Sequence, residues 1–184
     1  MMEIKRISEM TDSQTVQRSM HVDDPRVGLP MTQNPEFFKL FLEDTGLFVT
    51  LCFYDREFSD NTIYKSLVKG RLPANLGCVY ENAVAQGLKA AGYELFYHTF
   101  PKKDSKHKYE IDFIIPSGKK VCPIEVKSSS VSSHASLDAF IEKHGSDVHR
   151  GILISGKNLN EENGIVYLPI YMTGLLNRLR WIWI

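Results

Sequence analysis

A chain of 184 residues with 43% hydrophobic and 24% charged side chains is long enough to bury a core and fits one domain of ordinary size. Twenty-two basic side chains balance twenty-two acidic ones, which excludes a chain-wide field drawing polyanions; any nucleic-acid binding has to rest on a local patch. No apolar run reaches the ~18 residues of a membrane span and no apolar leader core occurs, and Cys52, Cys78 and Cys122 are widely spaced without CxxC, so the expected setting is reducing and cytoplasmic, with no membrane.

Residues 1–34 are polar, contain Pro25 and Pro30 and show no sustained period, so they read as irregular or partly disordered. Residues 35–72 read as a small N-terminal α/β extension. It begins with the aromatic-rich run Phe37-Phe38-Lys39-Leu40-Phe41-Leu42. Asp44 or Thr45 then caps a helix carrying Leu47, Val49, Leu51 and Phe53, and a second helix covers Asn61 to Val68.

Residues 73–184 carry the clearest pattern. From the candidate N-cap Asn75, Leu76, Val79, Tyr80, Ala83, Val84 and Ala91 recur at helical spacing up to Gly92, a favourable residue just past a helix end. Glu81 lies three and seven positions from Val84 and Leu88, at the margin of the apolar stripe. A strand over Tyr93 to Phe100, a basic loop over Pro101 to Lys108 and two further strands follow. Next come a helix around Ala135 to Lys143 closed by Gly145, a buried strand at Gly151 to Ser155, and a shorter one at Ile165 to Leu168.

The two strands Tyr109 to Ile115 and Val121 to Lys127 flank Pro116-Ser117-Gly118-Lys119-Lys120. If Gly118-Lys119 forms a two-residue II′ turn, Asp112 lies opposite Glu125, and Glu110 opposite Lys127. Opposed residues share a face with Cβ atoms about 5 Å apart, and two facing carboxylates destabilise a sheet unless a cation or proton lies between them. Mg²⁺ or Mn²⁺ suits such a pair, because a hard ion takes one or two carboxylates plus waters and substrate phosphate oxygens. Lys127 could then orient a water or stabilise charge on a scissile phosphate, so hydrolysis of a phosphodiester is the natural reaction. The plainer alternative is a cross-strand Glu110–Lys127 ion pair with Asp112 and Glu125 on a solvated face.

Glu81 on a helix, Asp112 on the second strand and Glu125-Val126-Lys127 on the third, in αβββαβ order, resemble the PD-(D/E)XK phosphodiesterase core. That resemblance implies a restriction-endonuclease-like α/β fold. More narrowly, Leu76-Gly77-Cys78-Val79-Tyr80-Glu81-Asn82, Tyr109-Glu110-Ile111-Asp112-Phe113 and Pro123-Ile124-Glu125-Val126-Lys127-Ser128 are similar to the uncharacterised C-terminal domain of bacterial and archaeal AAA+ family ATPases. The segment Phe38 to Leu47 resembles the same family's entry segment. By resemblance Glu81, Asp112 and Glu125 handle metal, Lys127 contacts water or phosphate, and an AAA+ ATPase domain is a candidate partner. The chain contains no G-x-x-x-x-G-K-[ST] loop, so no ATP site of that type is expected in it.

Lys102, Lys103, Lys106 and Lys108, with Lys119 and Lys120 on the turn, form the one basic concentration and are the candidate DNA contacts; a solvated charged loop is the alternative. The six histidines show neither HxH nor HExxH spacing and read as scattered. Ser128-Ser129-Ser130 either donates to phosphate or simply precedes a helix. The apolar end, with Leu175, Leu176, Leu179, Trp181, Ile182 and Trp183, either packs back on the domain or joins copies of the chain. Three readings stay open: Mg²⁺-dependent cleavage of DNA, a silent nuclease-fold module that binds nucleic acid or a partner ATPase, or a structural remnant of a larger ATPase with no activity alone.

Overall fold

The computed structural model describes residues 2–52, 65, 77–103, 105–128 and 134–179, with side chains from residue 6 onward. Four helices, α1 (Met2–Asp12), α2 (Thr45–Cys52), α3 (Gly77–Ala90) and α4 (Ala135–His144), surround eight strands among these residues. The strands are β1 (Val16–Val22), β2 (Gln33–Leu42), β3 (Phe96–Pro101), β4 (Lys108–Ser117), β5 (Lys120–Val126), β6 (Gly151–Ser155), β7 (Asn160–Glu162) and β8 (Ile165–Pro169). They form one mixed sheet in the order β2-β1-β3-β4-β5-β6-β8-β7. The fold is therefore mixed α/β, and α3-β3-β4-β5-α4-β6 follow one another as the sequence predicts. No helix is long and apolar enough to cross a membrane among the described residues.

Each sheet face buries its own core. Val84, Ala85 and Leu88 of α3 pack on Phe113, Ile115, Ile124 and Ile154, while Leu137 and Phe140 of α4 pack on Ile111, Ile114 and Leu153. Burial on both faces explains why β5, β6 and β8 read as apolar runs rather than alternating patterns, as parallel strands do when helices cover them. The parallel β5–β6 and β6–β8 pairs hold this half of the sheet together.

The β4–β5 turn matches the sequence expectation. Gly118 has φ +59°, Lys119 is not among the positive-φ residues, and the two together fit a II′ turn. The ladder runs from Ser117↔Lys120 to Phe113↔Ile124, the expected register. It stops there. On its other side β4 pairs Ile114 with Phe96 but Ile111 with His98, so Asp112 and Phe113 together oppose Tyr97 alone. This bulge puts Ile111 and Ile114 into the same core and re-aims Asp112, a device frequent beside functional sites.

Residues 1–34 are not irregular: they contain α1, β1 and the start of β2. The strand was hidden because its inward positions are partly polar. Gln17 and Ser19 are buried at 3% and 0% exposure, which breaks the hydrophobic alternation that marks a strand. Nor do the first strands stand apart from the rest, since β1 pairs in parallel with β3 at Met20↔Phe96 and His21↔Tyr97. The sheet curls so far that Phe41 of β2 lies 5.4 Å, centroid to centroid, from Phe113 of β4, although β1 and β3 separate these strands in sheet order.

Helix α2 starts as expected, with Asp44 Oδ1 accepting the Leu47 N–H at 2.8 Å. Gly92 closes α3 at φ +87°. Gly145 instead keeps helical angles and leads into a 3₁₀ turn at Gly145–Asp147. Strand β7 carries three exposed residues and had no apolar signal. Towards the C-terminus Leu176 is fully buried in the core on the α3 side, so this part packs back on the domain. Phe53, the expected helix at Asn61 to Val68 (Lys65 apart), Asn75, Leu76, Ser129, Ser130, Trp181, Ile182 and Trp183 lie outside the described residues.

Asn82 fastens β2 to α3. Its Oδ1 accepts the Leu42 N–H at 2.8 Å, and its Nδ2 donates to Leu42 O at 3.0 Å and Thr45 Oγ1 at 3.1 Å. Truncation would strip the partners from both polar backbone groups of Leu42, each worth about 1–3 kcal/mol when left unsatisfied in a buried place. Asn82→Ala is therefore expected to lower stability by about 2 kcal/mol or more, measured as a lower denaturation midpoint at unchanged slope.

Candidate functional site

Asp112 sits where the β4–β5 ladder ends. Its Oδ2 accepts the Val126 N–H at 2.7 Å, so the carboxylate takes the place of the missing rung and touches the middle residue of Glu125-Val126-Lys127. Glu125 alternates with the α3-facing Ile124 and Val126 and turns to the α4 side, where it is 4% exposed. There Oε2 accepts the Leu137 N–H in the first turn of α4 at 3.3 Å, a favourable place for an anion. Its Oε1 lies 2.6 Å from Lys127 Nζ.

Neither expected facing pair forms: the ladder ends at Phe113↔Ile124, so Asp112 lies with Glu81, Glu110 and Lys39 while Glu125 turns to α4, and Glu110 does not meet Lys127. Lys127 is held by Glu125 on its own strand, and Glu110 is held by Lys39 of β2, with Nζ–Oε1 at 2.5 Å. The same ammonium lies 3.7 Å from Oε2 of Glu81 on α3. The bulge and the sheet's curl account for the exchange, because one ends the register that would face Glu110 with Lys127 and the other brings β2 over the α3 side.

The electrostatics follow from this crowding. Burial raises the Asp112 carboxyl, the nearby Glu81 charge raises it further and Glu110 adds to the effect, against the Val126 hydrogen bond and Lys39; the result is a pKa of about 7. For Lys39, burial pulls the ammonium down, but the hydrogen bond to Glu110 and the charges of Glu110, Asp112 and Glu81 outweigh it and hold its pKa above the ordinary lysine value. Burial of the Cys122 thiol pushes it up to about 11, which leaves it an inert core group.

Among the described residues no three His, Cys, Asp or Glu side chains gather closely enough to hold a metal by themselves. Three of the histidines are nevertheless not scattered. His21 and His144 lie 5.7 and 6.2 Å from His98 by ring centroids, in an aromatic group with Phe100 and Phe140. Burial holds His98 below the ordinary histidine range, and its Nδ1 donates to Val22 O at 2.7 Å.

A family model described as a domain of unknown function (DUF4143) matches residues 76–172, just over half of the chain. The chain belongs to the DUF4143 family. No curated protein and no solved structure matches it. The DUF4143 match takes in Glu81, Asp112, Glu125 and Lys127, whereas Lys39 comes from β2, outside it. Sequence reasoning missed Lys39, although a signal was present: it is the single charge inside the run Phe37 to Leu42.

The candidate DNA-contacting lysines fall into two groups. Lys102, Lys103, Lys106 and Lys108 lie in the β3–β4 connection or at the start of β4, and Lys119 and Lys120 lie past its far end. Ten residues of β4 separate them by about 30 Å, so the turn lysines do not join the loop in one patch. Lys102 rests over the Tyr109 ring with its Nζ 5.4 Å from the centroid, and Lys120 Nζ reaches Val148 O at 3.5 Å.

Proposed function

We propose that this DUF4143 chain is a PD-(D/E)XK-type domain in which Asp112, Glu125 and Lys127 serve Mg²⁺- or Mn²⁺-dependent hydrolysis of DNA phosphodiester bonds. One observation carries the reading: the Asp112 carboxylate is hydrogen-bonded to the backbone of the Glu125-Val126-Lys127 tripeptide where the strands part. The α3-β3-β4-β5-α4-β6 succession, with Glu81 at the edge of α3, supports it as the arrangement that the resemblance implies.

The donor set suits a hard divalent ion. Asp112 and Glu125 would each offer carboxylate oxygens, and one or two carboxylates are what Mg²⁺ uses when waters and phosphate oxygens complete its shell. Glu81 stands near Asp112 as a third oxygen source, and the raised Asp112 pKa marks a carboxyl short of positive charge. When bound, such an ion supplies Lewis acidity and a more acidic water. The chain's own part is positional. The Val126 amide fixes the Asp112 carboxylate, the Leu137 amide fixes Glu125, and Lys127 holds an ammonium that could face charge growing on a phosphate. Cleavage of supercoiled, linear and single-stranded DNA with either metal, against a chelated control, tests the reading. Metal-dependent cleavage surviving Asp112→Ala, Glu125→Ala and Lys127→Ala alike would sink it.

A second reading is favoured by a separate observation. With Lys127 on Glu125 and Lys39 on Glu110 and Glu81, the acidic side chains already have cationic partners, as in a silent module that binds nucleic acid or a partner such as an AAA+ ATPase. In either reading, DNA contact should come from the β3–β4 loop, the lysine group nearer Asp112. Replacing Lys102, Lys103 and Lys106 together by Gln is expected to weaken DNA binding and to lower the slope of log K against log salt by about 0.9 for each phosphate that is no longer neutralised. Changing Lys119 and Lys120 should leave that slope unchanged in fluorescence-anisotropy titrations.

A further inference from the structure

Two carboxylates from two elements, Glu81 on α3 and Glu110 on β4, meet one lysine from β2, whose charge also reaches Asp112. Without a cation such a group takes up a proton or splays apart. Lys39 is the cation it has, with Nζ 2.5 Å from Glu110 and 3.7 Å from Glu81, on a side chain that is only 23% exposed. An ammonium seated between these carboxylates repels a divalent ion that enters beside it. The lysine also has somewhere else to go, because its Nζ already lies 5.2 Å from the centroid of the Tyr97 ring, a seat for a cation that loses its carboxylates. Lys39 and Glu81 border a groove of about 630 Å³ between β2, α2 and α3, so this side of the acidic group faces open space.

We infer that Lys39 is the resident counter-ion of this acidic pocket and that a divalent cation entering beside Asp112 must displace its ammonium. The displacement half rests on the metal reading proposed above; the counter-ion half does not. Lys39 is thus a positioning residue: it holds the carboxylates together in the metal-free protein and raises the metal concentration needed to fill the pocket.

The experiment is a Mn²⁺ titration of the whole chain, followed by the electron-paramagnetic-resonance signal of free Mn²⁺, with metal-free melting curves for the same variants. Lys39→Met should melt at a lower temperature than wild type without metal and bind Mn²⁺ at least tenfold more tightly. Lys39→Arg keeps the charge and should keep the weaker wild-type affinity, and the gain of Lys39→Met should vanish when Asp112→Asn is added. If Lys39→Met does not fold, Lys39→Gln, which retains a hydrogen-bond donor for Glu110 without the charge, serves in its place. Equal Mn²⁺ affinity in wild type and the neutral variant would overturn the displacement and leave the metal reading standing. No Mn²⁺ binding in either would overturn displacement and metal reading together. Unchanged metal-free melting in the neutral variant would overturn the counter-ion role itself.

Discussion

Asp112→Asn is expected to lower metal-dependent DNA cleavage by about a hundredfold to a thousandfold while leaving the protein folded and no less stable. The amide keeps an oxygen that can accept the Val126 N–H, so the substitute for the missing rung survives. What disappears is the negative charge. Because Asp112 is crowded by Glu81 and Glu110, losing that charge relieves repulsion rather than breaking a pair. Glu125→Ala should also abolish cleavage but cannot separate chemistry from folding. It removes the acceptor of the buried Leu137 N–H, a loss of about 1–3 kcal/mol when such a group is left unsatisfied, and the partner of the partly exposed Lys127. Circular dichroism melts beside the cleavage assay distinguish the two, and Asp112→Asn cleaving at the wild-type rate would remove Asp112 from the chemistry.

The second expectation concerns pH. A carboxyl with a folded pKa of about 7 and an ordinary value of 3.8 keeps its proton in the folded state where the unfolded chain has released it. Its contribution is therefore fully present below pH 3.8, declines as pH rises, and is lost above about pH 7. The size is on the order of a few kcal/mol, since each tenfold change in proton affinity is worth about 1.4 kcal/mol. In chelator, the difference in unfolding free energy between wild type and Asp112→Asn should grow in favour of the variant from pH 4.5 to pH 7.5. Taking that difference cancels the other titrating groups, including His98, whose lowered pKa acts in the opposite sense. A saturating divalent ion that binds only the ionised pocket should reverse the trend by stabilising wild type at the higher pH. A difference that stays flat with pH would mean that Asp112 is ionised throughout.

Local rules reached some of these features and not others. The hairpin register followed from one glycine, because Gly118 with φ +59° fixes the turn and the turn fixes five residue pairs. The C-terminal edge of α3 followed from the 3.6-residue period and Gly92. The bulge at Asp112 and Phe113 left no comparable trace: it is set by how β3 packs beside β4, and nothing in Glu110-Ile111-Asp112-Phe113 asks for an extra residue. Its effect was to end the extrapolated register at Phe113↔Ile124, which is why Asp112 meets the Val126 backbone and the expected pairs of Asp112 with Glu125 and Glu110 with Lys127 are both absent. Strand β1 escaped notice because buried Gln17 and Ser19 look like loop residues in a window of sequence. Lys39 was invisible as a partner for another reason: it lies 71 residues from Glu110, and no periodicity links them. The split of the lysines into two groups likewise becomes plain only when β4 is seen as a rod with a loop at each end.

The curl of the sheet sets how the acidic pocket changes its charge. β2 is the outermost strand and reaches the others through β1, which joins β3 by only two residue pairs; Phe41 against Phe113 and Asn82 against Leu42 are the latch. Opening of that hairpin is a local unfolding event, distinct from loss of the whole fold, and it carries Lys39 away with it. Hydrogen exchange of the β2 amides then also reports how often the pocket exposes its bare carboxylates.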